Sequence, residues 1–188
     1  MTDEPLKNIA LLIDADNTTP RGIDPVLTAL AQLGQVNIRR AYGNWAKPAL
    51  QKWAGLTNRF GIRPHQQFDL TKGKNATDMA MTIDAIDLLY QGKVDGFGIM
   101  SSDSDFTPLV TRLRQDGLTV YGFGDAKAPE AFQNACSRWI DIEQLIAGDE
   151  ADEVIDNTPD ATPAPAPTAE LVELLGKAWR SAKRDAEG

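Results

Sequence analysis

The sequence predicts an α/β protein: a three-layer α/β/α sandwich around a mainly parallel central sheet, with strand order 3-2-1-4-5. Three observations carry that expectation. Short apolar runs alternate with helix-spaced segments along the first 142 residues, the pattern of βαβ units joined by right-handed crossovers. The apolar runs are continuous, as in strands covered on both faces. Carboxylates follow the first and fourth of these runs, where an open parallel sheet gathers its function.

The elements follow in order. "NIALLID" (8–14) is an apolar run ending in an acid. Val26, Leu27, Leu30 and Leu33 then share one helical face, and Gly34 stops it. "QVNIRRAYG" (35–43) reads as a strand, 47–61 as a helix and 62–68 as a strand. A helix over 77–92 leads to the strand "GFGIMSS" (96–102). A helix over 105–117, a strand over 118–124, a short helix over 128–136 and a last strand "SRWIDI" (137–142) complete the core.

Composition sets limits. The chain has 188 residues, of which 42% are hydrophobic, enough for one domain and a tail. It contains no apolar run long enough to span a bilayer, so no membrane partner is expected. One cysteine, Cys136, excludes an internal disulfide, and cytoplasmic placement is the expectation. The net charge of −8 is uneven: residues 149–188 hold 10 acids and 4 bases. Residues 39–74 hold eight Lys or Arg against a single acid, Asp69. Arg39, Arg40, Lys47, Lys72 and Lys74, with Tyr42 and Trp45 among them, are therefore candidate contacts to a nucleic-acid backbone and its unpaired bases. Trp53, Phe60 and Phe68 lie in the same stretch, and Trp53 and Phe60 equally suit the core.

The acids recur in three places: Asp14 and Asp16 after the first strand, Asp78 at the start of the third helix, and Asp103 and Asp105 after the fourth strand. With strand order 3-2-1-4-5, Asp14 and Asp103 face each other across the switch point. Two carboxylates ~4 Å apart repel by roughly 4 kcal/mol at an effective dielectric of ~20. Such a group of hard oxygen ligands, with no Cys or His beside it, calls for Mg²⁺ or Mn²⁺. Each acid also has a local reading: Asp103 as a turn residue, Asp105 as a helix N-cap, Asp78 as a partner of the helix dipole. Asp16 and Asn17 are supporting candidates beside Asp14, as are Ser101 and Ser102 beside Asp103. Asp84 lies about 120° around the helix from Asp78, on a stripe with Asp87 and Gln91 that reads as solvent-facing. It is kept as a weaker supporting candidate. His65 is the only histidine, so a serine triad is excluded, and its apolar-alternating setting reads as a strand.

"IDADN" after the first strand, "KGKNATDMAMTIDAIDLLY" on the third helix and "SSDSDFTPLVTRLR" after the fourth strand together resemble the NYN domain. That family has the PIN-like nuclease fold, and the similarity points to its bacterial LabA-like branch over roughly residues 6–146. The resemblance implies a metal-dependent ribonuclease using Mg²⁺ or Mn²⁺, with single-stranded RNA as partner. It makes Asp14, Asp78, Asp103 and Asp105 the metal-binding and catalytic acids, and Asn17 their accompanying Asn. Some relatives carry adjacent acids at the helix start; here the first is Thr77. The expected divisions are a nuclease domain over 1–146, an acidic then Pro/Ala-rich linker over 147–168, and an amphipathic helix over 169–188. That last helix is similar to the entry into a LOTUS-type (OST-HTH) domain. A homodimer is left open.

Two other functions compete. "IDADNT" also resembles the nucleophile motif of haloacid-dehalogenase-type phosphatases, but that reading leaves Asp78 without a part. The third is a non-catalytic RNA-binding or regulatory module with a vestigial metal site. Since the acidic, Pro/Ala-rich segment buries little apolar surface, a chain ending at Gly148 should fold and cleave RNA at the full-length rate. Cleavage rates for both lengths at matched salt test this, and loss of folding or activity would show that the terminal helix docks on the core.

Overall fold

A computed structural model of the protein describes residues 7–68 and 76–148. The expected terminal helix, the linker beyond 148, Lys72 and Lys74 lie outside the described residues. The elements run β1 (Asn8–Asp14), α1 (Ile23–Ala31), β2 (Gln35–Gly43), α2 (Gln51–Arg59), β3 (Arg63–Gln66) and α3 (Ala76–Gln91). They continue as β4 (Gly96–Met100), α4 (Thr107–Gln115), β5 (Thr119–Gly124), α5 (Glu130–Ala135) and β6 (Arg138–Asp141). Single 3₁₀ turns at Pro20–Gly22, Pro48–Leu50 and Ser104–Phe106 lead into α1, α2 and α4.

The sheet order is β3-β2-β1-β4-β5-β6, and every neighbouring pair is parallel. The expected order therefore holds, with β6 added at one edge. Central β1 shows why its sequence is a continuous apolar run. Ile9, Leu11 and Ile13 enter the core under α1 and α2, with Val26, Leu30 and Trp53. Ala10 and Leu12 enter the opposite core under α3, α4 and α5, with Met81, Leu88, Val110 and Phe132. Alternation places Asp14 on this second face, the α3 side. In β2 a bulge shifts the register: Ile9 pairs with Val36 but Ala10 with Ile38. The extra residue puts Ile38, Arg40 and Tyr42 on the α3 side as well.

Helix ends follow the glycines read in the sequence. Gly92 and Gly117 take φ of 62° and 85° after α3 and α4, a conformation that side chains disfavour. Among the differences from expectation, two lie at the carboxyl end of the sheet. β4 ends at Met100, since Ser101 turns its side chain toward Asp14. Residues 142–148 form a helical segment that seats Ile142 and Ile146 in the α1-side core. Its apolar spacing covers too few residues to declare a helix in advance. Among the described residues no helix is long and apolar enough to cross a membrane.

Leu12 is fully buried in the central strand. Leu12→Ala should cost about 2–5 kcal/mol through lost burial and the cavity left behind, read as a lower urea midpoint with unchanged slope.

Candidate metal centre

The carboxyl ends of β1 and β4 lie side by side, and the N-terminus of α3 crosses above them. Asp14 closes β1 and is fully buried. Its Oδ2 accepts from Asn17 Nδ2 and from Ser101 Oγ, each at 3.0 Å. Its Oδ1 is buried with no partner among the described residues. Burial pushes the Asp14 carboxyl above its ordinary value, against the pull of those hydrogen bonds. A dry carboxylate with an unpaired oxygen is costly as a purely structural device, and the missing partner fits a cation.

Three further carboxylates form a cluster of their own, close enough to Asp14 for its charge to act on Asp78. Asp78, Asp103 and Asp105 offer oxygens that lie within 4.8 Å of one another. Asp78 sits in the first turn of α3. Its pKa is pushed up to about 6, first by burial, then by the charges of Asp14, Asp103, Asp105 and Asp16. The local readings of the other pair exchange places. Asp103, not Asp105, is the N-cap: its Oδ1 accepts from Asp105 N at 2.9 Å and starts the 3₁₀ turn. Asp105 falls in the first turn. Ser101 couples the two strand ends, donating to Asp14 while its Oγ accepts from Asp103 N at 3.1 Å. Ser102 Oγ accepts from Asp125 N at 2.7 Å, tying this loop to the end of β5.

Asp16 supports the group from the other side. Its carboxylate accepts from Thr77 Oγ1 at 2.9 Å and Asn44 N at 3.2 Å, and pairs with Lys47 Nζ at 3.3 Å. Thr77, the residue that departs from the acidic pattern, therefore holds the start of α3 against the β1 loop.

The expectation for Asp84 fails. It does not face solvent: Arg40 Nη1 and Tyr42 OH both donate to it from β2. Burial pushes the Asp84 carboxyl up, but these two donors outweigh it and hold the carboxyl below its usual range. The bulge in β2, invisible in the sequence, turns Arg40 and Tyr42 toward α3 and makes the pairing. Tyr42 is fully buried and cannot stack on a base. Arg39 is also engaged, with Nε on Val36 O at 3.1 Å and Nη1 on Phe60 O at 2.8 Å. Trp45 donates Nε1 to His65 O at 2.9 Å and packs on the core, as do Trp53 and Phe60. Phe68 stays exposed. His65 lies half-buried in β3 against Tyr42, with ring centroids 4.9 Å apart.

The raised carboxyl of Asp78 gives a pH test with a definite sign. Its folded pKa of about 6 exceeds the ordinary 3.8, so between these values the folded state holds the proton more tightly than the unfolded chain. The metal-free protein should therefore lose stability as pH rises through that window. Asp78→Asn removes this term, so the mutant should gain on the wild type from about pH 4 to about pH 7. Urea midpoints in EDTA at both ends check it; a gap that does not widen contradicts the assignment.

Comparisons with known proteins bear on the family and the fold. The model of the NYN domain matches residues 8–143, which span the sheet and contain Asp14, Asp78, Asp103 and Asp105. An uncharacterised protein of Methanocaldococcus jannaschii is 27% identical over 120 residues, 62% of this chain and 47% of that protein. The chain thus spans about half the length of that curated relative. A crystal structure of a protein of unknown function from Vibrio parahaemolyticus matches with a TM-score of 0.63 at 19% identity. That match covers 77% of this chain and 98% of the other, and shows a shared fold. With the parallel sheet, the acid group at its switch point and the family match over most of its length, the chain belongs to the NYN domain family of PIN-like nucleases.

Proposed function

We propose that the protein is a divalent-metal-dependent ribonuclease that hydrolyses phosphodiester bonds of single-stranded RNA. The observation that carries this reading is the unpaired, fully buried Oδ1 of Asp14 beside the Asp78, Asp103 and Asp105 carboxylates. In this reading those four acids hold Mg²⁺ or Mn²⁺. When bound, such an ion supplies Lewis acidity at the phosphate and lowers the proton affinity of an attacking water.

The chain's own groups do the rest. Asn17 and Ser101 fix Asp14 Oδ2, so that Oδ1 points away from the donors. Asp103 is held by its cap to Asp105 N, and Ser101 keeps its backbone in place. Asp16 positions Lys47, whose ammonium charge at the edge of the acid group suits a substrate phosphate. Exposed Lys52 and Arg63 extend that positive side along α2 and β3. Arg39 and Arg40 are held by the fold, through Phe60 O and Asp84.

The test is end-labelled single-stranded RNA incubated with purified protein in Mn²⁺, Mg²⁺ or EDTA, beside a generic phosphomonoester. RNA should be cut with either metal and left intact in EDTA. Asp103→Asn should lower the rate by about 10²-fold or more, while keeping the fold, because Asn caps as well as Asp. RNA binding without cleavage would favour the non-catalytic module. Phosphomonoester turnover would favour the phosphatase, and equal cutting of DNA would remove the RNA restriction.

A further inference from the structure

A cavity of about 300 Å³ opens beside the acid group, on the side away from Lys47. It is built from the segments that follow four strands. Asn17 and Thr18 come from the β1 loop, Ser102 from the β4 loop, Asp125 from the end of β5, and Ile142 and Glu143 from just past β6. Asn17 and Ser102 belong to both places. Asn17 donates to Asp14, and Ser102 follows the serine that bonds it. Whatever fills the cavity is therefore continuous with a group held at the metal centre.

Its chemistry is unlike that of the basic side. Ile142 is buried and gives an apolar wall. Asp125 and Glu143 are exposed carboxylates on the rim. Asp125 Oδ1 accepts from Lys127 N at 2.8 Å, while its other oxygen has no protein donor among the described residues. Glu143 is not needed as a helix cap, because Asp141 Oδ1 already accepts from Glu143 N at 2.9 Å. Two carboxylates repel a phosphate. They accept from neutral N–H donors. The volume lies at the lower end of the range for small-molecule sites.

We propose that this cavity is a nucleoside subsite, in which Asp125 and Glu143 accept hydrogen bonds from the base edge of the nucleotide whose phosphate lies at the acid group. It rests on the ribonuclease reading for the place of that phosphate. Unpaired bases are read on their Watson–Crick edges. Guanine presents two adjacent donors, N1–H and the N2 amino group, which match one carboxylate side by side. Cytosine and adenine each offer one amino group beside an acceptor. Uracil offers a single N3–H between two carbonyl oxygens, both of which oppose a carboxylate. The order expected is guanine first, cytosine and adenine next, uracil last.

Binding of GMP and UMP to the full chain in Mg²⁺, measured by isothermal titration, tests the subsite without any cleavage. GMP should bind about tenfold more tightly than UMP, near the lower end of what a well-placed pair of hydrogen bonds discriminates. Asp125→Asn with Glu143→Gln should bring GMP to the level of UMP. Amide shifts on GMP titration should centre on Ser102, Asp125 and Glu143. Equal binding of the two nucleotides, discrimination that survives the double substitution, or shifts on another face would each overturn the proposal. The two readings fail separately. Discrimination without RNA cleavage would remove the nuclease and keep the subsite, whereas cleavage without discrimination would remove the subsite alone.

Discussion

The arrangement depends on one carboxylate placed where water cannot reach it. Asp14 ends the central strand, fully buried, with one oxygen held by two donors and the other by none among the described residues. Moving an ionised carboxylate out of water costs several kcal/mol unless a partner replaces the lost hydration. Here the replacement is incomplete among the described residues, and the charge of Asp16 opposes ionisation further. The fold thus holds a local instability that a divalent cation would relieve, and packed cores on both faces of β1 support it.

Keeping the acids together requires α3 to stay where it is. Two contacts fix it to β1 and β2. At its start, Thr77 bonds Asp16. Two turns along, Asp84 receives Arg40 and Tyr42. Between them Met81 is buried against the sheet. A helix pinned at both positions cannot slide along its axis without breaking a half-buried charged pair, and losing one partner of such a pair is more costly than the pair is stabilising. Asp84 therefore belongs to the support of Asp78 rather than to its company.

The two sides of the centre differ in sign. Lys47, Lys52 and Arg63 lie toward β2, α2 and β3, while Asp125 and Glu143 lie toward β5 and β6. Positive charge gathers on one side and negative charge on the other. That polarity follows from the strand order, because segments far apart in sequence arrive on opposite sides of the β1–β4 junction.

The strand–helix alternation, the parallel sheet and its order were legible because each strand is a continuous apolar run and each connection is a helix-spaced segment. The acids Asp14, Asp78 and Asp103 were legible because three motifs place charge where a βαβ sheet needs none. Four things were not. The bulge in β2 leaves no mark in composition, yet it decides which face Arg40 and Tyr42 occupy, and so turned two candidate RNA contacts into anchors for Asp84. The helical segment at 142–148 is too short for periodicity to declare. The orphaned oxygen of Asp14 and the cavity shared by Asn17, Ser102, Asp125 and Glu143 exist only once distant strand ends meet. Sequence sets what each segment prefers to be, because periodicity and side-chain chemistry are local. Which side chains face one another is set by register and packing, which are properties of the assembled sheet.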